Sequence, residues 1–179
     1  MDDDGSDQAR LQARLARLVD RADLEDLAIT YMRGLDRRDR GLLRSVFHDD
    51  ATTRYGAFSG DPDAFVAHAM DALSSHETNQ HLIGQVGLWW DGPDAARGEV
   101  YFQAFHRFSR DGVRLDLTIS GRYVDRYERR QGVWRMTHRT EIVDWARTEP
   151  TSDDYLPARP LVVVGRPDRS DLSYRINEA

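Results

Sequence analysis

Four long β-type segments follow one another through the second half of this chain with almost nothing between them. They run from His81 to Trp90, Arg97 to Arg110, Val113 to Arg129 and Val133 to Ala146. The links carry Asp91-Gly92-Pro93, Asp111-Gly112 and Gln131-Gly132, turn sequences too short for a crossover, so the strands must be antiparallel neighbours in one meander. The first half reads differently. Leu11, Leu15 and Leu18 recur at helical spacing between Gln8 and Val19, behind a small, acidic stretch of seven residues expected to fray. A stronger helix is expected from Ala22 to Arg38, capped by Asp20 or Asp23. On it Leu24, Leu27, Ala28, Tyr31 and Leu35 form one stripe, with Ile29, Met32 and Asp36 beside it at the helical angle per residue. A short helical segment with Leu42, Leu43, Val46 and Phe47 leads to a first strand at Ala51–Tyr55. Asp61-Pro62, a cap followed by a proline at the first helical position, then starts a third helix that reaches Leu73. Its Phe65, Ala69, Met70 and Leu73 are expected to face inward. Helices first and a meander after predict an α+β fold, with helices packed on one face of a curved, mostly antiparallel sheet.

A chain of 179 residues, 40% of them hydrophobic, buries one core, so a single globular unit with tails is expected. The units are residues 1–20, a tail and helix; 21–149, the body; and 150–179, an arm. The arm carries Pro150, Pro157, Pro160 and Pro167 around the apolar run Leu161 to Val164, and is expected to wrap the body or a neighbouring subunit. The net charge is −6 with both signs interspersed, which argues against nucleic acid or an anionic membrane as the main partner. With no cysteine, disulfides, thiolate ligands and cysteine nucleophiles are excluded. The start of the chain is acidic and polar, and no apolar run approaches membrane-spanning length, so a cytoplasmic protein is expected.

Six histidines are the first candidates for chemistry: His48, His68, His76, His81, His106 and His138. Strand alternation puts His81 on a face with Ile83, Gln85, Gly87 and Trp89, and His106 on one with Phe102, Ala104 and Phe108. Both imidazoles then point toward an apolar interior. A buried imidazole needs a partner for each nitrogen, and a carboxylate lying across the sheet fixes its tautomer and raises its basicity. Asp36, on an otherwise apolar helix face, is placed to supply it, because an unpaired buried carboxylate is costly. The pair has two readings, a general base in a cavity or a satisfied core contact. Tyr31 and Tyr55 offer hydroxyls that could polarise a substrate oxygen, or simply pack. His76 and His81 stand five residues apart, one too many for two ligands on one helical turn, so no metal site is expected. No phosphate-cradling glycine loop, dinucleotide fingerprint or Gly-x-Ser-x-Gly elbow is present, and no cofactor is expected.

Several segments between Arg21 and Glu149 resemble the polyketide cyclase/dehydratase-like (SnoaL-like) branch of the NTF2-like superfamily. They are Asp26-Leu27, Gly34-Leu35-Asp36, Phe47-His48-Asp49-Asp50-Ala51, Ser75-His76-Glu77-Thr78 leading to His81, and Gly121-Arg122-Tyr123 through Gly132-Val133-Trp134-Arg135. The resemblance implies an NTF2-like cone and an Asp–His pair of the kind used by hexachlorocyclohexane dehydrochlorinase, scytalone dehydratase and bile-acid 7α-dehydratase. By position the aspartate falls on Asp36 and the histidine on His81, with Tyr31, Tyr55 and His106 as substrate-binding residues. Tyr31 departs from the lysine of the dehydrochlorinase, and either His138 or Arg139 stands for its arginine. The implied activity is a cofactor-independent lyase acting on a hydrophobic aromatic or polycyclic small molecule, by elimination or retro-aldol cleavage, in a homotrimer. The same fold also implies alternatives, an isomerase or cyclase of the ketosteroid or polyketide type, or a non-catalytic binding or assembly module with a filled cone.

Overall fold

The computed structural model describes residues 4–176. In chain order its elements are α1 (Asp4–Asp36), α2 (Arg40–Ser45), β1 (Phe47–Tyr55), β2 (Phe58–Gly60), α3 (Pro62–Ser74), β3 (His76–Trp90), β4 (Ala95–Arg110), β5 (Val113–Arg130) and β6 (Val133–Pro150). A 3-10 turn follows at Leu172–Arg175. One sheet holds the strands in the order β2-β1-β6-β5-β4-β3. All pairs are antiparallel except β1 with β6, which is parallel. This is the expected α+β architecture, helices on a curved, mostly antiparallel sheet. The core lies between sheet and helices and is built from Leu24, Ala28, Tyr31 and Met32 of α1, Phe65 and Met70 of α3, and Val100, Phe102, Tyr123 and Met136 of the strands.

The two expected N-terminal helices are a single one. The chain is helical from Asp4, while residues 1–3 of the expected tail lie outside the described residues. Asp20, expected as a cap, sits inside α1 instead. Its carboxylate accepts from Trp134 Nε1 at 3.0 Å and Arg129 Nη1 at 2.7 Å, so a tertiary contact uses the side chain that a cap would have needed. The helix stops at Asp36, two residues before the expected end. Arg38 turns to φ 47, and the Asp39 N–H closes onto Gly34 O at 2.9 Å, a left-handed stop that ends the helical ladder. A Cβ on Gly34 would lie 2.8 Å from Leu43 N, so the glycine lets α2 pack directly on the end of α1. Upstream of Asp20 the stripe Leu11, Leu15 and Leu18 is exposed.

Two bulges alter the strand faces. One, between Ile83 and Val86, turns Val86, Leu88 and Trp90 inward and leaves Gln85 and Trp89 outside, overturning the expected face from Gln85 onward. The other, where Arg126 and Tyr127 meet β6, shifts the inward set from Trp134 and Met136 to Arg139 and Glu141. The strand β2 is too short to be read from sequence. Pairing of His76 with Phe108 and of Leu115 with Pro150 extends β3 and β6 beyond their expected ends.

After β6, the stretch from Arg166 to Arg175 returns to its own body. Arg37 donates to Arg166 O at 3.2 Å, Tyr174 donates to Asp39 at 3.0 Å, and Arg33 lies over the Tyr174 ring. The apolar run Leu161 to Val164 stays exposed. Among the described residues no helix is long and apolar enough to cross a membrane.

At the centre of the molecule Arg139 and Asp125 form an ion pair with neither side chain exposed, through bonds of 2.8 and 2.7 Å. Removing one partner leaves the other charge buried and unpaired. Asp125→Ala should therefore cost about 3–5 kcal/mol of stability in urea unfolding, and the apolar double variant Asp125→Leu, Arg139→Met should recover most of it.

Candidate active site

Asp36 closes α1, at the end of a helix whose dipole disfavours a carboxylate. Donors from β3 make the position tolerable. The His81 backbone N–H lies 3.0 and 3.2 Å from the two carboxylate oxygens, His81 Nδ1 lies 2.8 Å from Oδ1, and the Asn79 amide lies 3.4 Å away. Asn79 also donates to Leu35 O at 3.2 Å, so β3 grips the last turn of the helix as well as its carboxylate. An ionised carboxylate only accepts, so Nδ1 of His81 carries a proton, and in the neutral ring this leaves the lone pair on Nε2. Among the described residues nothing hydrogen-bonds to Nε2. The imidazole side chain is 6% exposed and lines a cavity of about 270 Å³.

The cavity opens between the β1–β2 turn at Gly56 and α3, whose His68 lies at the mouth, stacked on Phe58. Inside, the Tyr31 and Tyr55 hydroxyls meet at 2.6 Å, and Phe65 stacks on Tyr55 with ring centroids 4.5 Å apart. Burial pushes both phenols above their usual range, so they stay protonated and act as neutral donors and acceptors. His106 stands beside His81, ring to ring at 5.2 Å, with His76 on its other side at 5.0 Å. Its Nδ1 is buried and unpaired, and burial first, then His81 and His76, lower its pKa to about 3. The opposite wall holds Tyr123 and Glu141, cross-strand partners on β5 and β6. Burial raises the Glu141 pKa, with His81 and Arg139 pulling the other way.

The five residues singled out from sequence therefore come together. Tyr31, Tyr55, His81 and His106 line the cavity, and Asp36 stands behind His81. Of the two residues left open on β6, Arg139 faces inward beneath the tyrosines. His138 faces away, between Thr52 and Thr140. Sequence reasoning does not reach Asn79 or Glu141. Glu141 is an acidic residue in the middle of an otherwise inward strand segment, but the bulge hides its face. Among the described residues no group of three His, Cys, Asp or Glu side chains is placed to hold a metal.

The histidines give a direct check. In nitrogen NMR, His81 should hold the Nδ1–H tautomer and Asp36→Ala should turn it into a mixture. His106 should remain neutral until the pH falls to about 3. Between that value and the ordinary 6.5 the unfolded chain binds a proton at this position that the folded chain does not, so this histidine's contribution to stability is lost as pH falls through the window.

With the geometry in place, comparison with known proteins adds the lineage. The fold is shared with a hexachlorocyclohexane dehydrochlorinase from Novosphingobium barchaimii, at 22% identity over 78% of this chain and 94% of that one, with a TM-score of 0.68. A protein from Novosphingobium aromaticivorans provisionally described as a scytalone dehydratase matches at 19% identity over 74% of this chain and 89% of that one, TM-score 0.67. A protein from Kribbella flavida matches at 18% identity over 73% and 95%, TM-score 0.66. No curated protein matches the sequence. The family model of the SnoaL-like domain matches residues 9–140, and the chain belongs to that family, within the NTF2-like superfamily.

Proposed function

We propose that this chain is a cofactor-independent lyase in which neutral His81, oriented by Asp36, removes a proton from a compact aromatic or bicyclic substrate. The observation that carries this reading is that His81 lines the cavity with Nδ1 held by a carboxylate at 2.8 Å, while among the described residues nothing hydrogen-bonds to Nε2. A histidine that were only a packed core residue would have both nitrogens satisfied. Loss of the proton builds negative charge on the substrate, which the paired Tyr31 and Tyr55 hydroxyls and His106 can stabilise through neutral hydrogen bonds. The outcome is elimination, of water in the dehydratase manner, or retro-aldol cleavage of a carbon–carbon bond. A dehydrochlorinase activity, or release of formaldehyde from a diarylpropane diol, uses the same base.

The cavity is at the small end of ligand pockets, which run from roughly 300 to 1,000 Å³, and this favours one or two rings over four. It also speaks against a binding module with a filled cone. An isomerase or cyclase would draw on the same walls, but the His–Asp pair favours elimination. The body that does this work is read as residues 21–149, with 1–20 as a leading tail and helix and 150–179 as an arm. Exposed Trp89, Tyr101, Val143 and Trp145, mostly on the outer side of the sheet, together with the arm's apolar run, offer a surface for the homotrimer that the resemblance implies. The expected setting is the cytoplasm.

The test is turnover of β-hydroxy ketones, diarylpropane diols and hydroxysteroids by wild type, His81→Ala and Asp36→Asn, with folding checked by circular dichroism. The smaller compounds should be consumed, and His81→Ala should lower their turnover by roughly 10²- to 10⁴-fold, the usual worth of a general base. Asp36→Asn should cause a smaller loss. Unchanged turnover in His81→Ala would remove the assignment.

A further inference from the structure

An elimination needs an acid as well as a base whenever the departing group is a poor one, and the base assigned above leaves that place open. Tyr31 and Tyr55 are fully buried phenols held to each other, and burial makes their anions costly, so they are weak proton donors. His106 enters its neutral form well below neutrality. Tyr123 is a buried phenol of the same kind, and His68, which also lines the cavity, is exposed and stacked on Phe58. Glu141 remains.

We propose that Glu141 is the general acid of this cavity, protonating the oxygen that leaves while His81 takes the proton from carbon. This rests on the lyase reading above. The β5–β6 bulge turns Glu141 inward, opposite Tyr123, onto the same cavity as His81. Among the described residues its carboxyl has no hydrogen-bond partner. Arg139, two residues earlier on the strand, commits Nε and Nη2 to Asp125 and makes no ion pair with Glu141. The groups around it are Tyr31 from α1, Tyr55 from β1, His81 from β3, His106 from β4, Tyr123 from β5 and Arg139 from its own strand. Only His81 and Arg139 favour its ionised form, and burial, the larger effect, favours the neutral acid.

The step balances. His81 Nε2 forms an N–H bond as the substrate C–H bond breaks, and that electron pair becomes the new C=C bond, through an enolate where a carbonyl is adjacent. The C–O pair leaves with oxygen, which takes the Glu141 proton and departs as water. The proton on His81 then returns through water to the Glu141 carboxylate, restoring both groups.

Leaving-group dependence tests the role. The full chain and Glu141→Gln, matched by circular dichroism, are compared on a β-hydroxy phenyl ketone and its β-acetoxy counterpart, whose acetate departs without a proton. Loss of water should fall by at least about 100-fold in Glu141→Gln, in line with general-acid catalysis, while loss of acetate stays nearly unchanged. In wild type, activity toward the hydroxy ketone should drop at high pH as Glu141 ionises, and that alkaline limb should vanish in the variant. Equal loss on both ketones, no loss on either, or a surviving alkaline limb overturns the assignment and leaves the base reading intact. If wild type consumes neither compound, the lyase reading falls and this one with it. Should Glu141→Gln not fold, Glu141→Asp keeps the acid one methylene further back, and should weaken water loss selectively while keeping the alkaline limb. A second readout needs no turnover. In pH-difference infrared spectra the carboxyl band missing from Glu141→Gln should titrate above the ordinary glutamate range near about 4.3, and titration within that range overturns the proposal.

Discussion

A guanidinium with no exposure to water is the costliest group in this molecule, and the way it is compensated sets the shape of what surrounds it. Arg139 is met by Asp125 through two bonds, and Asp125 in turn accepts from the Tyr127 hydroxyl at 2.6 Å. The remaining faces of the cation lie against two aromatic rings, Tyr31 and Tyr123, each with its centroid 4.2 Å from the guanidinium carbon. One of those rings belongs to α1 and the other to β5, so a single charge holds the helix at a fixed distance from the sheet. Asp36 lies five residues beyond Tyr31, about 7.5 Å along the helix axis. The anchor that places the tyrosine therefore also places the carboxylate within reach of β3.

The consequences meet at His81. Its backbone N–H and its Nδ1 both go to Asp36, so ring and main chain are fixed by the same acceptor, and the rotation of the imidazole is settled before any substrate arrives. Asn79, on the same side of β3, ties that acceptor to the helix through Leu35 O. Preorganisation of this sort leaves little reorganisation for the reaction itself to accomplish, which is where electrostatic catalysis gains most. The cost shows around the site as buried atoms without a partner on His76, Asn79, His106 and Arg139, polar atoms that a purely structural core would be expected to satisfy.

Much of this was legible in the chain before any coordinates. Short turn sequences between long β segments force antiparallel neighbours, and Asp61-Pro62 starts α3 where it is expected. Asp36 and His81 stand out as polar groups among apolar neighbours on a helix and a strand, while Tyr31, Tyr55 and His106 gain their roles from the family resemblance. What escaped the sequence are the features that depend on a change of register. A period of two predicts that Gln85 and Trp89 share the face of His81, and it holds only as far as Ile83, because the bulge adds a residue. The same failure on β6 makes His138 and Arg139 indistinguishable by alternation and conceals Glu141. Bulges such as that at Gly121, where a Cβ would lie 2.1 Å from Ile142 O, are set by close backbone approach between strands, which composition does not report. Asp20 failed for a different reason. Its role depends on Trp134 and Arg129, more than a hundred residues away, and no local pattern carries such a contact.

The distribution of charge across the cavity follows from these same constraints. Arg139 lies behind the lining rather than in it, neutralised by Asp125 and covered by the Tyr31 and Tyr123 rings. The cavity walls contain three phenols, Tyr31, Tyr55 and Tyr123, and an imidazole, His106, that burial keeps uncharged near neutrality. On the lyase reading, a substrate entering this space would meet fixed dipoles rather than an unpaired cation, and their interaction would grow as charge develops. The two groups proposed to move protons are His81 on β3, held by Asp36, and Glu141 on β6, which makes no ion pair. They stand on strands separated by β4 and β5, and it is the curvature of the sheet that turns them toward one volume. Flattening that curvature would preserve every strand pairing and still separate His81 from Glu141, so that the proposed base and acid would address separate patches rather than one cavity.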